Sequence, residues 1–330
     1  MWTSSQIAPP QVSVVICTRN RVSSLDMALK SLQQAAAQTE DLSIELVVVD
    51  NGKPADGTRT LVEAFATQSS LIVRVILEAY PGLARARNTG LRAAAGEIIV
   101  LTDDDCCVAP DYFVQLRALY ADVTGPVIIG GRVDLGTTAD LPLTIKTENQ
   151  AARFNGVGVG GFILGCNMTL TRAVVAALGP VDERLGAGSL LKAGEDTDYV
   201  YRAWLAGIPI AYEPRLRVAH FHGRRTLPEA HTLMRGYGIG NGALYVKHIR
   251  TPLIRQLYWD LKDVWRELWG SVPPAPPHGL SHARVVAANM IGMVLFCGLL
   301  LRRQGRISAD AAHNDGAPGH IDPMVTRRRA

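Results

Sequence analysis

The sequence predicts an α/β protein, a doubly wound and mostly parallel sheet flanked by helices, with a helical C-terminal extension. Three observations predict it. Apolar runs at 12–16, 44–50, 71–77 and 97–101 alternate with helix-period segments, the β-α-β-α-β-α-β order that right-handed crossovers turn into a parallel sheet. Leu46, Val47, Val48 and Val49 run without alternation, as a strand covered on both faces requires. Finally, the runs end in polar clusters, Thr18-Arg19-Asn20-Arg21, Asp50-Asn51 and Asp103-Asp104-Asp105. The carboxyl ends of the strands are where such sheets bind ligands.

Taken in order, the β-branched run at 12–16 is a strand, and Leu25, Leu29 and Leu32 then share one face of a helix over 22–37. The second strand closes at Asn51-Gly52, a turn signal. Helices over 58–67 and 84–95 separate it from strands at 71–77 and 97–101. A helix to 121 and a strand at 127–129 follow, then a Gly-rich stretch at 155–165 expected to form a mobile loop. Helices are expected at 171–178, stopped by Gly179-Pro180, and at 194–205, ended by Gly207; two strands then follow at 208–212 and 216–220.

Beyond Pro228 the pattern is helical. Over 251–269, Ile254, Leu257, Tyr258, Leu261, Val264, Trp265 and Leu268 form a stripe, while Arg255, Lys262 and Arg266 are balanced by Asp260, Asp263 and Glu267. A membrane-surface helix carries a cationic excess, so packing against the main domain is the expectation for this one. After a Pro-rich break, 285–301 is almost wholly apolar and bracketed by Arg284 and Arg302-Arg303, which leaves a short spanning helix, a helix lying in the interface or a buried core helix; membrane contact is the preferred expectation because the arginines would sit at headgroups. The boundaries that result are a flexible 1–11, a main domain over 12–226 divided near 125, a helical extension over 227–272, the linker and apolar helix over 273–304, and a disordered tail over 305–330.

Composition excludes some functions. The 330 residues are 48% hydrophobic and only 19% charged, the apolar end of soluble proteins, and a formal charge of +4 gives no argument for nucleic acid. Cys17, Cys106, Cys107, Cys166 and Cys297 lack the even count and paired spacing of a disulfide frame or a zinc site, which points to a reducing cytoplasm. The first residues lack the charged head and apolar core of a signal peptide.

Three adjacent carboxylates at a strand end repel one another unless a cation sits between them, so Asp103, Asp104 and Asp105 mark a divalent-metal site; oxygen ligands favour Mg²⁺ or Mn²⁺. The alternative is a solvated acidic loop capping the helix that begins near Pro110.

Four segments, Val-Ser-Val-Val-Ile-Cys-Thr-Arg-Asn-Arg at 12–21, Val-Val-Val-Asp-Asn-Gly at 47–52, Pro-Gly-Leu-Ala-Arg-Ala-Arg-Asn-Thr-Gly-Leu at 81–91 and the Asp triplet, resemble the nucleotide-sugar half of family-2 glycosyltransferases. Gly-Cys-Asn-Met-Thr-Leu-Thr-Arg at 165–172, Val-Asp-Glu-Arg-Leu-Gly at 181–186 and Gly-Glu-Asp-Thr-Asp-Tyr at 194–199 extend the likeness, in order and spacing, over about 10–225. The resemblance implies a GT-A fold and metal-dependent, inverting transfer from a nucleotide-diphosphate sugar to a glycan or lipid-linked acceptor, on the cytoplasmic face of a membrane. It makes Asp105 the direct ligand of the Asp-X-Asp motif and gives Asp103 the ribose or a metal-bound water. Thr18, Arg19, Asp50, Arg87 and Asp104 would line the nucleotide site, and Asp196, crowded by Glu195 and Asp198, would be the general base. His220, on one face with His222, would be a further metal contact, and Asn167 would line the acceptor pocket; Cys166 and Met168 read as packing.

Two rival readings remain. One is a catalytically silent nucleotide-sugar-binding or scaffold protein at the membrane, which ought to lack the base or a metal carboxylate. The other is a nucleotidyltransferase, which ought to carry a Gly-rich phosphate loop where 17–21 has no glycine. The Gln-X-X-Arg-Trp signature of processive synthases is absent, which favours addition of one or a few sugars.

Overall fold

A computed structural model describes residues 9–39, 41–53, 56–273 and 279–314. Residues 1–8, 274–278 and 315–330, on which parts of the expected flexible start, linker and tail fall, lie outside the described residues. Strands β1 (Val12–Thr18), β2 (Ile44–Asp50), β3 (Ile72–Leu77), β4 (Ile98–Asp103), β5 (Cys106–Val108), β6 (Ile128–Leu135), β7 (Ala152–Arg153), β8 (Asn167–Thr171) and β9 (Ile210–His220) form one sheet. Its order is β3-β2-β1-β4-β8-β6-β9-β5, with β7 on β9. The expected parallel series is β3-β2-β1-β4. β8 then enters antiparallel between β4 and β6, and β6 pairs parallel with β9.

Register places the functional ends level. Thr18 pairs with Asp50, and Cys17 with Asp103, so three strand ends open on one edge. Helices α1 (Val22–Ala36), α2 (Thr58–Gln68), α3 (Leu83–Ala93), α4 (Tyr112–Tyr120), α5 (Arg172–Leu178) and α6 (Glu195–Leu205) flank the sheet. The unbroken apolar run of β2 is explained by two cores. Ile44, Leu46 and Val48 join Leu25, Leu29 and Leu32 of α1 and Phe113 and Leu116 of α4. Val47 and Val49 join Leu91 of α3 and Tyr199 and Val200 of α6.

Three differences from the sequence-based expectation have physical causes. β8 escaped notice because its five residues, all buried, carry no turn signal at either end. The two strands expected at 208–212 and 216–220 are one strand, β9. Proline cannot donate to a ladder, and Pro214 is accommodated by a register shift, with Gly131 opposite Glu213 but Arg132 opposite Arg217. The Gly-rich segment at 155–165 is anchored, since Val159 and Ile163 are buried in the second core.

The C-terminal helices are α7 (Leu227–Lys247), α8 (Arg255–Leu268), entered through a short 3-10 turn at Pro252–Ile254, and α9 (His282–Asn314). α7 opens with a capping box in which Thr226 and Glu229 satisfy each other's end of the first turn. Its last turn is stapled to the catalytic half by charge. Lys247 Nζ lies 2.6 Å from Asp182 and 2.8 Å from Asp198, whose carboxylate also receives His248 Nε2 at 2.8 Å and Arg202 Nε at 2.9 Å. Burial raises both carboxyl pKa values, yet cations outweigh it and hold both below the usual range, Arg184 and then Lys247 at Asp182, and His248, Lys247 and Arg202 at Asp198.

α9 runs on to Asn314, past the boundary at 304 that polarity suggested, because a helix already nucleated and packed extends at little cost. It is long and apolar enough over His282–Arg302 to cross a membrane, but it lies along α7. The two backbones nearly touch: a Cβ on Gly242 would stand 1.8 Å from the Asn289 carbonyl oxygen. The expectation that α8 packs its apolar stripe on the main domain is corrected by the structure. Tyr258, Leu261, Trp265 and Leu268 are exposed, and the helix is held instead through polar groups, Asp260 accepting from Tyr245 and Asn289, and Glu267 from the His282 N–H.

Two outcomes follow from this packing. Alanine at a helical glycine ordinarily stabilises by about 1 kcal/mol, but Gly242→Ala should destabilise by about 1–3 kcal/mol because backbone blocks the methyl; thermal and urea melts of the full chain give the sign. The stability contributed by Asp182 and Asp198 is fully present above their ordinary pKa near 4 and is lost as pH falls through their lower folded values. Urea midpoints measured as the pH falls below about 4 should therefore drop for the wild type and less steeply for Asp198→Asn.

Candidate active site

A cavity of about 410 Å³ opens over the level strand ends. Its walls include Thr18, Arg19, Arg87, Asp103, Asp104, Asp105, Glu195, Asp196 and His220, gathered from β1, α3, β4, α6 and β9 and the loops that follow them. The residues expected at the two ends of the site, Asp105 and Asp196, therefore face one space.

Arg87 joins the two ends. It projects from α3, is 4% exposed, and forks across the cavity floor: Nη2 lies 3.1 Å from Asp103 Oδ1 and Nη1 2.7 Å from Glu195 Oε1. Its guanidinium is thus engaged by protein carboxylates and forms a wall of the cavity. Burial pushes the Glu195 carboxyl up to about 7, with the Asp196 charge adding to it and Arg87 opposing. Arg87 itself stays cationic, because the surrounding carboxylates outweigh its own desolvation.

The Asp triplet splits by environment. Asp104 is turned inward, accepting from Thr18 Oγ1 at 2.8 Å and from Arg21 at 3.2 Å, and burial pushes it up to about 6. Thr18 and Asp104 thus form a strut beneath the loop. Asp103 is the most exposed of the three, with 28% of its side chain open. Asp105 takes Arg21 Nη1 at 2.8 Å on Oδ2 and faces His220 Nε2 at 3.3 Å with Oδ1. Burial would raise Asp105, but the His220 hydrogen bond and charge, with Arg21, lower it. Burial would lower His220, and its bond to Asp105 overrides this and lifts it to about 9.

This pair fits a divalent ion. Two cis ligands of an ion with bonds near 2.1 Å stand about 3 Å apart, close to the Asp105–His220 separation, and His220 is oriented from behind by Thr144 Oγ1 at 3.1 Å from Nδ1. His222 does not share the role. It receives the Arg224 N–H on Nδ1 and lies 3.0 Å from the Leu141 carbonyl with Nε2, away from the cavity. Cys106 and Cys166 bring sulfur within 4.8 Å of His220, but both are buried in the first core, and the Cys106 thiol, hydrogen-bonded to Cys166 and desolvated, is pushed well up; these thiols are packing.

At the other end, Asp196 opens α6. Its Oδ2 accepts the Gly165 N–H at 2.9 Å and Oδ1 the Thr197 N–H at 2.7 Å. Gly165 leaves room for both groups, since a Cβ there would lie 2.8 Å from the Arg87 guanidinium and 2.9 Å from Asp196 Oδ2 and would have to displace them. Asp198, two residues on, faces the opposite side of the helix and serves the α7 staple, so it does not crowd Asp196.

Two expected residues stand elsewhere. Asn167 is corrected as an acceptor ligand: it is fully buried, donating to the Arg132 and Leu216 carbonyls and accepting from Tyr112, with nothing left for a ligand. Asp50 accepts the Gly52 N–H at 2.9 Å at the end of β2 and is not among the cavity walls, whereas its neighbour Asn51 is. Sequence reasoning assigned no role to Arg21, Thr144, Lys192, Arg224 or Tyr237, which also line the cavity. Backbone strain is a signal for two of them, Thr144 at φ 51° and Lys192 at φ 67°, left-handed conformations that non-glycine residues adopt at a cost.

Removing the buried cation leaves two carboxylates facing each other without a partner. Arg87→Ala should cost about 3–5 kcal/mol in urea unfolding, and Arg87→Lys should recover only part, since an ammonium cannot fork to both acids.

Comparison with known proteins agrees with this geometry. Residues 13–174 match the model of Glycosyl transferase family 2. Glycosyltransferase AglE of Haloferax volcanii is 25% identical over 91% of this chain and 96% of its own length. The succinoglycan biosynthesis protein ExoO of Rhizobium meliloti is 29% identical over 62% of this chain and 59% of its own. Among solved structures, mannosyltransferase PcManGT of Pyrobaculum calidifontis superimposes over 92% of this chain and 83% of its own, with TM-score 0.59 and 19% identity, which speaks for the fold. With a GT-A sheet around it and the side of the cavity lined by Arg87, Asp103, Asp104 and Asp105 within it, the matched segment 13–174 is a family-2 glycosyltransferase domain.

Proposed function

We propose that the protein transfers a sugar from a nucleotide-diphosphate sugar to a hydroxyl of a glycan or lipid-linked acceptor, with inversion and with Mg²⁺ or Mn²⁺, in cell-surface polysaccharide or glycolipid biosynthesis at the cytoplasmic face of a membrane. One observation carries the reading: a single cavity holds the Asp105–His220 pair and Asp196 on either side of the Arg87 bridge. ExoO is named for succinoglycan biosynthesis, and the PcManGT structure was solved with GDP-Man and Mn²⁺, both in keeping with it.

Asp105 and His220, the imidazole giving up its proton to do so, would hold the ion, with Asp103 beside them. When bound, the ion neutralises charge that develops on the departing diphosphate. Arg19, exposed at the mouth, and Thr18, with Asp104 behind it, border the nucleotide. Asp196 takes the proton of the acceptor hydroxyl as that oxygen attacks the anomeric carbon from the face opposite the leaving group. The Gly165 and Thr197 N–H groups fix the carboxylate for that attack. Glu195, held by Arg87, fixes the start of the helix that carries Asp196. Contact with the membrane through 285–301 completes the reading.

Thermal shifts with UDP, GDP, dTDP and CMP, each with and without Mn²⁺, should show stabilisation by one nucleotide diphosphate only when the ion is present. Asp105→Asn should abolish that ion-dependent shift. Asp196→Asn should keep it while turnover falls about 10²–10⁴-fold. Retained turnover in Asp196→Asn, or an unchanged shift in Asp105→Asn, contradicts the assignment.

A further inference from the structure

The outward face of α8 has no explained role. The helix turns its acids inward: Asp260 is engaged by Tyr245 and Asn289 and Glu267 by the His282 N–H, all partners on α7 and α9. Its outward side carries Tyr258, Leu261, Trp265, Leu268 and Trp269, exposed by 61, 46, 65, 73 and 78%. At 100° per residue these occupy one continuous arc, and Lys262, Arg255 and Arg266, also exposed, follow directly along its edge. Of the facing acids only Asp263 stays near this side, paired with Arg266 at 3.1 Å.

A helix whose sequence is charge-balanced thus presents a surface that is not. Leaving indole rings exposed to water is unfavourable unless something apolar covers them. Tryptophan and tyrosine with an apolar body and polar tip, bordered by arginine and lysine, match the boundary between acyl chains and anionic headgroups. A protein partner would be met equally well by acids, and here the fold has folded the acids away.

We propose that α8 docks the enzyme on an anionic lipid bilayer, lying in the interface plane with Trp265, Trp269, Leu261 and Leu268 immersed and Arg255, Lys262 and Arg266 at the headgroups. α9, clamped to α7, serves as the platform that orients this helix. The proposal goes beyond the transfer reaction and stands without it, because docking needs neither donor nor ion.

The full-length protein, without nucleotide or metal, is mixed with phosphatidylcholine vesicles with and without phosphatidylglycerol, and pelleting and tryptophan emission are read. Binding with a blue shift is expected only with the anionic lipid, reversed by salt. Trp265→Ser with Trp269→Ser should abolish it, and Arg255→Glu with Lys262→Glu and Arg266→Glu should weaken it about a hundredfold or more. All these side chains are exposed, so melting temperatures should stay within a few degrees of wild type, and the nucleotide shift should persist. Unchanged pelleting of both variants overturns the proposal. So does a concentration-dependent dimer in place of lipid binding.

Discussion

The guanidinium of Arg87 is the constraint on which the site depends. A cation buried to this degree survives only if paired, and it is paired twice, to an acid from β4 and an acid from α6. Those two elements carry the two chemistries proposed for the cavity. Tying them through one planar, five-donor group fixes their separation more firmly than packing would, because the fork has no freedom to lengthen one bond without losing the other. Gly165 belongs to the same constraint, since only a residue without a side chain leaves room for the fork and the Asp196 carboxylate together.

Carboxylates crowd this region, and their surroundings separate them. Asp104 is buried against a threonine and becomes a weak acid; Asp105 is drawn low by its hydrogen bond with His220 and by an arginine; Glu195 is raised by desolvation; Asp198 is taken out of the site by cations from α7. Such divergence among neighbours is what the proposed pairing of an ion site with a proton acceptor in one cavity requires. The same charges also stabilise the fold, because the Asp182–Lys247–Asp198 staple ties α7 to the loop and helix that present Glu195 and Asp196.

Much of the first half was legible in the sequence. Unbroken runs such as Leu46 to Val49 identify strands covered on both faces, and polar ends mark the edge at which the cavity opens. The Asp triplet and the Glu195-Asp196 pair were found by charge density at element boundaries, a local signal. What escaped depends on partners far along the chain. Nothing near Asn167 says that its amide is consumed by Tyr112, Arg132 and Leu216, and nothing near Thr144 says that it backs His220. The α8 helix shows the same limit in reverse. Its charges sum to balance in sequence, and only the fold reveals that the acids turn to Tyr245, Asn289 and His282 while the aromatics and cations turn to solvent.

The enzyme emerges as a GT-A core with helices clamped to it through α7, one cavity over its strand ends, and opposite ends of that cavity joined by a single arginine. The central claim is a direct displacement across that cavity, with Asp196 deprotonating the acceptor while the diphosphate leaves toward Asp105 and His220. The anomeric configuration of the first-formed product, read by proton NMR before mutarotation, tests it most directly. The account predicts the configuration opposite to that of the donor sugar; the same configuration in donor and product would contradict it.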